Sequence, residues 1–395
     1  MHNLRKLLCS LLSITILATT LTSCHKDDEE DAVNERTVFI YMPWTASLYS
    51  YFQVNLTDFK KAIVSHGLNR QRVVVFLATS ASTAKMFEIT LVNGECQETL
   101  LKEYSSPAYN TSSAIASYIK DMKMAAPATK SYSMMIGSHG LGWIPVGYTS
   151  RVRSTAEPLK YHFEYTDGPL TRFFGGDSDL YRVNITTLAE AIESTGIKME
   201  YILFDDCYMS NIEVAYDLRN ATNYLIGCAT EVMAYGMPYQ KIGSALLGTP
   251  DYKSVCQEFY TFYSSYSTPC GTIGVTDCSQ VDSIASIMKE INASCTFDKS
   301  KLSSIQDLDG YTPTIFFDFN DYVQHLCTDV TMLGKFEAQL KKTVPYSACT
   351  STYYSAINKE QKAINTFCGC TISDPTQNTT YASSVASTNW WKATH

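Results

Sequence analysis

Along this chain, short unbroken apolar runs rich in β-branched and aromatic residues alternate with stretches whose apolar positions recur every three or four residues. The first kind reads as buried strand and the second as amphipathic helix. Residues 36–42 (Arg-Thr-Val-Phe-Ile-Tyr-Met) predict a strand and residues 53–66 a helix. Residues 71–78 predict a second strand, and 85–92, which alternate apolar and polar side chains, an edge strand or hairpin arm. A helix over 112–124 leads to the apolar run 133–136, which ends in Gly137-Ser138-His139-Gly140. Past a long polar stretch, a helix over 184–194, with Asn184 placed to cap it, leads to the run 201–204. That run ends in Asp205-Asp206-Cys207-Tyr208-Met209, and a helix from Cys207 to about Arg219 and a strand over 223–229 follow. Regular alternation of strand and helix predicts an α/β fold with a mostly parallel sheet and helices on both faces.

Two of these strands stop at a reactive side chain, His139 and Cys207. In an open α/β sheet, chemistry gathers outside the carboxyl ends of the strands, so neighbouring parallel strands ending this way present an imidazole and a thiol to one crevice. Taken singly, a Cys closing an apolar strand is usually a small buried hydrophobe, and a His a hydrogen-bonded core or surface residue. Together they make a cysteine hydrolase: the thiolate attacks a carbonyl carbon, the imidazole carries the proton to the leaving group, and backbone N–H groups hold the oxyanion. The N–H groups of Gly140 and Cys207 are the oxyanion candidates, Gly140 because a residue without Cβ lets the backbone approach a substrate. None of the other six of the seven His has this strand-end setting. A helix beginning at Cys207 places the thiol at the positive end of a helix dipole and lowers its pKa, as does an imidazolium at His139. Because side chains alternate along a strand, Asp205 shares the crevice side with Cys207 while Asp206 points away. A carboxylate there opposes thiolate formation; it serves either to receive a cationic substrate side chain or to bind local N–H groups at the turn.

Composition fits a folded protein with a substantial core: 45% hydrophobic, 12% aromatic and 18% charged residues. A net charge of -8 and the lack of a basic stripe exclude nucleic acid as a partner. Gly175-Gly176-Asp177 reads as a turn rather than a phosphate cradle, and no cofactor is implied. At the N-terminus, Arg5 and Lys6 precede an apolar stretch from Leu7 to about Leu21, short for a membrane span and suited to a signal-peptide core. Leu21-Thr22-Ser23-Cys24 resembles the bacterial lipobox, which implies cleavage before Cys24 and a lipid anchor on it in the bacterial outer membrane. The acidic run from His25 to Asp31 resembles the signal that sends some lipoproteins to the outer surface. Of the 13 Cys, ten remain once Cys9, Cys24 and Cys207 are set aside, enough for disulfides in an exported protein, with no pairing specified. The ligand spacing of a structural zinc site is missing.

His139-Gly140 followed by Gly142-Trp143, then Phe204-Asp205-Asp206-Cys207-Tyr208-Met209 with Glu213 and Tyr216 behind it, resembles the clostripain family of cysteine peptidases. The resemblance runs from about Arg36 to the end of the chain, including Phe316-Phe317-Asp318 and Trp390-Trp391. It implies a caspase-like three-layer sandwich with a mostly parallel central sheet flanked by helices. It further implies a His139–Cys207 dyad, endopeptidase activity on protein or peptide substrates, and Asp205 as an acid in an S1 pocket for Arg or Lys. Three positions depart from the family pattern. Tyr235 stands where basic-specific members carry a second acid, with Glu231 the candidate substitute; Asp206 replaces the small residue usual before the Cys; and Met42-Pro43-Trp44 lacks an Asp/Asn-rich turn. Some members use calcium, but Asp307-Leu308-Asp309-Gly310 fails the EF-hand pattern. Asp177 and Asp179 remain as oxygen-ligand candidates, and no metal is assigned. Several relatives cut themselves in the loop after the histidine; the corresponding stretch here is long and holds Arg151, Arg153 and Lys160. The resemblance therefore implies a nick after Arg151 or Arg153, the alternative being an uncut lid. The chain then divides into signal peptide (1–23), lipidated Cys and acidic tether (24–35), catalytic core (36–248) and a C-terminal α/β region packed on it (249–395).

Two other functions fit parts of the sequence. A catalytically inactive relative would act as a surface peptide- or glycan-binding lipoprotein, with Trp44, Tyr49, Tyr51 and Phe52 lining a groove; the 27 Tyr suit an extended ligand. Cys368-Gly369-Cys370 points to thiol redox chemistry, against which stands the lack of any Cys-x-x-Cys motif.

Overall fold

The computed structural model describes residues 34–146, 175–376 and 381–395. The predicted signal peptide, Cys24, Arg151 and Arg153 lie outside the described residues. The frame is a nine-stranded sheet made of β1 (Asn34–Met42), β2 (Gln71–Ser80), β3 (Thr83–Val92), β4 (Glu95–Ser105), β5 (Thr129–Gly137), β6 (Met199–Asp205), β7 (Thr222–Gly227), β8 (Thr272–Asp277) and the short strand Tyr346–Cys349. Their spatial order is Tyr346–Cys349, β8, β7, β6, β5, β1, β2, β3, β4. The five strands β7-β6-β5-β1-β2 run parallel, and the pairings beyond them at both edges are antiparallel.

The parallel strands are the unbroken apolar runs of the sequence, as burial on both faces requires: in β1 every residue from Thr37 to Met42 is buried. The run at 85–92 forms β3, an arm of a hairpin with β4. The two central residues of that turn, Asn93 (φ 52°) and Gly94 (φ 81°), adopt the left-handed conformation that a two-residue hairpin loop demands. β4 itself escapes sequence reading because nearly all its side chains are exposed, so no apolar alternation marks it.

The crossovers explain the layers. From β1 the chain passes through α1 (Tyr49–His66) to β2 on one side; through α2 (Ser112–Ala125), Ile185–Glu193 and Ile212–Leu218 it steps the other way, to β5, β6 and β7. With right-handed connections, opposite directions put the helices on opposite faces. α1 accordingly packs with Tyr239–Leu246, which packs with Tyr252–Ser264, while α2, Ile185–Glu193 and Ile212–Leu218 pack in series on the other face. The switch in direction falls between β1 and β5, so the crevice opens at the carboxyl ends of β1, β5 and β6. Residues from Asn34 onward form one compact unit, and β8 and Tyr346–Cys349 extend the sheet across the division expected at 248/249.

Candidate functional site

The register of two central strands places the reactive pair. Gly137 of β5 lies opposite Asp205 of β6 in parallel pairing, and His139 and Cys207 each follow two positions later. Neighbouring strands lie about 4.8 Å apart, so the two residues leave the sheet side by side. The backbones stay close beyond the strand ends: a Cβ on Gly140 would sit 2.2 Å from the Cys207 carbonyl oxygen and 3.0 Å from the Cys207 nitrogen. Only glycine fits there. The N–H groups of Gly140 and Cys207 thus belong to two chain segments in direct contact. Asp206 ties the same segments together, accepting from the Ser138 N–H (2.6 Å) and from Ser138 Oγ (3.2 Å).

His139 is buried, and its Nε2 meets two partners, Ser47 Oγ at 2.9 Å and Asp177 Oδ1 at 3.2 Å. Ser47 follows β1; Asp177 comes from the far side of the long polar stretch. Ser47 Oγ donates to Asp177 Oδ1 (2.7 Å), and Asp177 Oδ2 accepts from the N–H groups of Ala46 (2.9 Å) and Ser47 (3.4 Å). Burial pushes the Asp177 carboxyl up, but hydrogen bonds from His139 and Ser47, together with the imidazole's charge, outweigh it and hold the group well below the usual carboxylate range. The turn expected at Gly175 closes on the same site, since the His139 N–H donates to the Gly175 carbonyl (3.1 Å). Of the two carboxylates considered as oxygen ligands for a cation, Asp177 is engaged in this way and Asp179 pairs with Arg182 at 2.5 Å. Among the described residues no group of three His, Cys, Asp or Glu is placed to hold a metal ion.

The loop that carries Cys207 corrects one sequence expectation. Cys207 is not at a helix terminus: β6 stops at Asp205 and the next helix is Ile212–Leu218, capped by Asn211, whose Oδ1 accepts from the Val214 N–H (2.9 Å). The Cys207 Sγ instead meets the backbone of Val232, beyond β7, accepting from the Val232 N–H at 3.2 Å, which favours a thiolate, and donating to the Val232 carbonyl at 3.7 Å, which favours the thiol. Tyr208 adopts φ 57°, a left-handed conformation unusual for a bulky residue, and three contacts hold it there. Its N–H donates to the Thr230 carbonyl, its ring stacks on Phe316 (centroids 5.1 Å apart), and its hydroxyl donates to Glu231 Oε1 (2.9 Å). Ser210 fastens the loop further, its N–H donating to the Cys228 carbonyl and its Oγ to the Gly369 carbonyl. Cys207 is fully buried.

Asp205 is buried, as is Asp206, and the Asp205 Oδ1 accepts from the Met237 N–H (2.6 Å). Tyr235 is close enough for the Asp205 charge to matter. Burial first, then its 2.5 Å hydrogen bond to Asp58 and the charges of Asp58 and Asp205, raise the phenol and keep it neutral. Asp58, on α1, is an acid at this locus that sequence reading missed, because only the fold brings position 58 to position 235. Glu231, the candidate substitute acid, is buried, and its carboxylate accepts from Tyr208 Oη and the Ala356 N–H. It braces the loop that carries Cys207. The aromatic groove residues are core or packed on core: Phe52 is buried, and Trp44, Tyr49 and Tyr51 lie against the main cluster. The described cysteines are all free thiols. Burial holds the thiols of Cys368 and Cys370 well above the usual range and pushes those of Cys256, Cys270 and Cys278 up to about 12, so none of these is a nucleophile at neutral pH.

The clostripain family model matches residues 161–373. The chain belongs to the clostripain family. Its members are cysteine proteases, and this chain is one. A secreted C11 cysteine protease from Bacteroides thetaiotaomicron, "iotapain", is 48% identical, with a TM-score of 0.84, covering 92% of this chain and 100% of its own. A clostripain from Bacteroides thetaiotaomicron, solved with a peptide inhibitor, is 56% identical over 56% of this chain and 99% of its own, with a TM-score of 0.55. An inactive zymogen C11 protease from Parabacteroides distasonis is 26% identical, with a TM-score of 0.75 over 92% of this chain and 99% of its own. No curated protein matches.

Proposed function

We propose that this clostripain-family protease is an endopeptidase that cuts after Arg or Lys, with Cys207 as nucleophile and His139 as base. The observation that supports this reading is the register of β5 and β6, which pairs Gly137 with Asp205, two positions before His139 and Cys207, together with the close approach of the Gly140 and Cys207 backbones. His139 takes the Cys207 proton, and the thiolate forms a bond to the carbonyl carbon of the scissile peptide. The carbonyl oxygen, now an oxyanion, is held by the N–H groups of Gly140 and Cys207. As the C–N bond breaks, the imidazolium gives its proton to the departing amine; water, activated by the same ring, then hydrolyses the thioester.

Asp205 is the acid of the S1 pocket, with Tyr235 a neutral hydroxyl beside it. The 56%-identical relative supports a basic P1, since the peptide of its inhibitor, BTN-VLTK-AOMK, ends in Lys. The intact chain is latent. A fully buried thiol is closed to an added peptide, and a nick after Arg151 or Arg153, made by Cys207 in its own loop, would uncover it. One flank of that stretch sits at the site, since Gly175 accepts from the His139 N–H. Secretion of the 48%-identical relative accords with export of this chain, carried by the lipobox-like Cys24 and outer-membrane anchoring.

The deciding experiment is turnover of matched fluorogenic peptides ending in Lys or norleucine, with electrophoresis under denaturing conditions on the same samples. Wild type should cut the Lys peptide and appear as two fragments; Cys207→Ala and His139→Ala should be silent and intact, with losses of about 10³-fold or more. Full activity in either variant refutes the dyad, and an equal nick in Cys207→Ala refutes self-processing.

A further inference from the structure

We infer that Asp177 is the positioning residue of His139, fixing the ring with its proton on Nε2 so that Nδ1 serves as the base toward Cys207. The inference rests on the dyad reading above and follows from the hydrogens. Asp177 as a carboxylate only accepts, and the single hydroxyl proton of Ser47 is directed at Asp177 Oδ1. Both contacts of Nε2, with Ser47 Oγ at 2.9 Å and Asp177 Oδ1 at 3.2 Å, therefore need Nε2 to be the donor. A neutral imidazole protonated on Nε2 carries its lone pair on Nδ1. Asp177 is itself held in place, because Oδ2 faces the N–H groups of Ala46 and Ser47. The ring of the His that follows β5 is thereby set by a residue across the long polar stretch and by the chain just after β1.

The same two N–H groups make the test sharp. In Asp177→Asn, the Ala46 and Ser47 N–H groups demand the amide oxygen, so the amide NH2 turns toward Ser47 Oγ and Nε2. A donor facing Nε2 moves the histidine proton to Nδ1, the nitrogen that must accept from the thiol. Asp177→Ala merely loosens the ring. A positioning role therefore predicts that the near-isosteric Asn is worse than Ala: kcat for the Lys peptide falls about 100-fold or more in Asp177→Asn and about 10-fold in Asp177→Ala, with KM little changed in both. A purely structural role predicts the reverse order. Ser47→Ala, which leaves the carboxylate in reach of Nε2, should lose less than either.

Turnover is compared at equal nicked fraction and with thermal unfolding recorded for each variant. The ¹⁵N spectrum of the histidine in a Cys207→Ala background gives an independent reading: the ring should be Nε2-protonated when Asp177 is intact and Nδ1-protonated once Asp177→Asn is added. Loss in Asp177→Asn no greater than in Asp177→Ala, a change confined to KM, or an Nδ1-protonated ring in the parent overturns the assignment. Full activity of His139→Ala would instead remove the dyad itself, so the two failures are told apart.

Discussion

Replacing Asp205 by Asn removes a charge while keeping a shape. Asp205 is fully buried, and its Oδ1 accepts from the Met237 N–H at 2.6 Å. An Asn side chain retains that acceptor, so the turn at the end of β6 keeps its bond. On the proposed S1 role, what disappears is the buried negative charge that a Lys or Arg side chain would meet. Truncating one partner of a buried ion pair costs about 2–5 kcal/mol. At about 1.4 kcal/mol per tenfold, kcat/KM for a Lys peptide should fall by roughly 30- to 4,000-fold. The partly exposed Tyr235 near Asp205 lets some water in and favours the lower half of that range. A norleucine peptide of the same sequence never makes the pair and should lose less than about threefold, since its interactions are unchanged. The assay is kcat/KM for the two peptides on Asp205→Asn, with Asp205→Ala as the control that also loses the Met237 bond. Equal losses on both peptides in Asp205→Asn would refute the pocket role and make Asp205 a turn residue.

Two further outcomes are expected. Gly140→Ala forces a methyl to 2.2 Å from the Cys207 carbonyl and 2.7 Å from Asp206 Cβ, so the two segments must part. If parting the segments displaces the Gly140 N–H from the proposed oxyanion position, kcat should fall about 10²–10³-fold, and the overpacking should cost about 1–3 kcal/mol in urea unfolding; near-wild-type turnover alongside that loss of stability would argue against this N–H as a donor. Glu213 is buried, and burial raises its carboxyl to about 8, the Ser373 N–H opposing. Because its folded pKa lies above its unfolded value of 4.5, the unfolded chain loses the proton first. Stability from this group is intact below about pH 4.5 and is lost as pH rises to about 8. Glu213→Gln, which keeps an acceptor for Ser373, should gain thermal stability relative to wild type between about pH 5 and pH 8; a constant difference would refute the buried-acid assignment.

The parts of this site that are legible in the sequence are those written locally. Val38 to Met42, Met134 to Ile136 and Tyr201 to Phe204 are unbroken apolar runs because parallel strands are buried on both sides, and each leads straight to the crevice. The sequence places the helix start too early because Tyr208, Met209 and Ile212 continue the apolar pattern, although Asn211 is the capping residue at the true beginning. Asp58, the Val232 N–H and Asp177 as a partner of His139 are invisible for another reason, since the sequence marks Asp177 only as an oxygen-ligand candidate for a cation. Each acts on a residue 25 to 177 positions away in the chain, and a backbone N–H has no signature in sequence at all. Glu231 misleads because an acid near a pocket in sequence carries no record of the hydroxyl and N–H that claim it.

The order of strands also says when a cut can occur. Any break between residues 147 and 174 separates β4, β3, β2, β1 and β5 from β6, β7, β8 and Tyr346–Cys349, two contiguous half-sheets that meet along the single β5–β6 ladder. That seam runs between base and nucleophile. A half made alone would expose the apolar edge of β5 or β6, an unpaired template for misassembly. If the proposed cut occurs, the uncut chain is the folding unit, the cut has to come after the seam has zipped, and a nicked molecule whose halves separate would lose its activity and its solubility together.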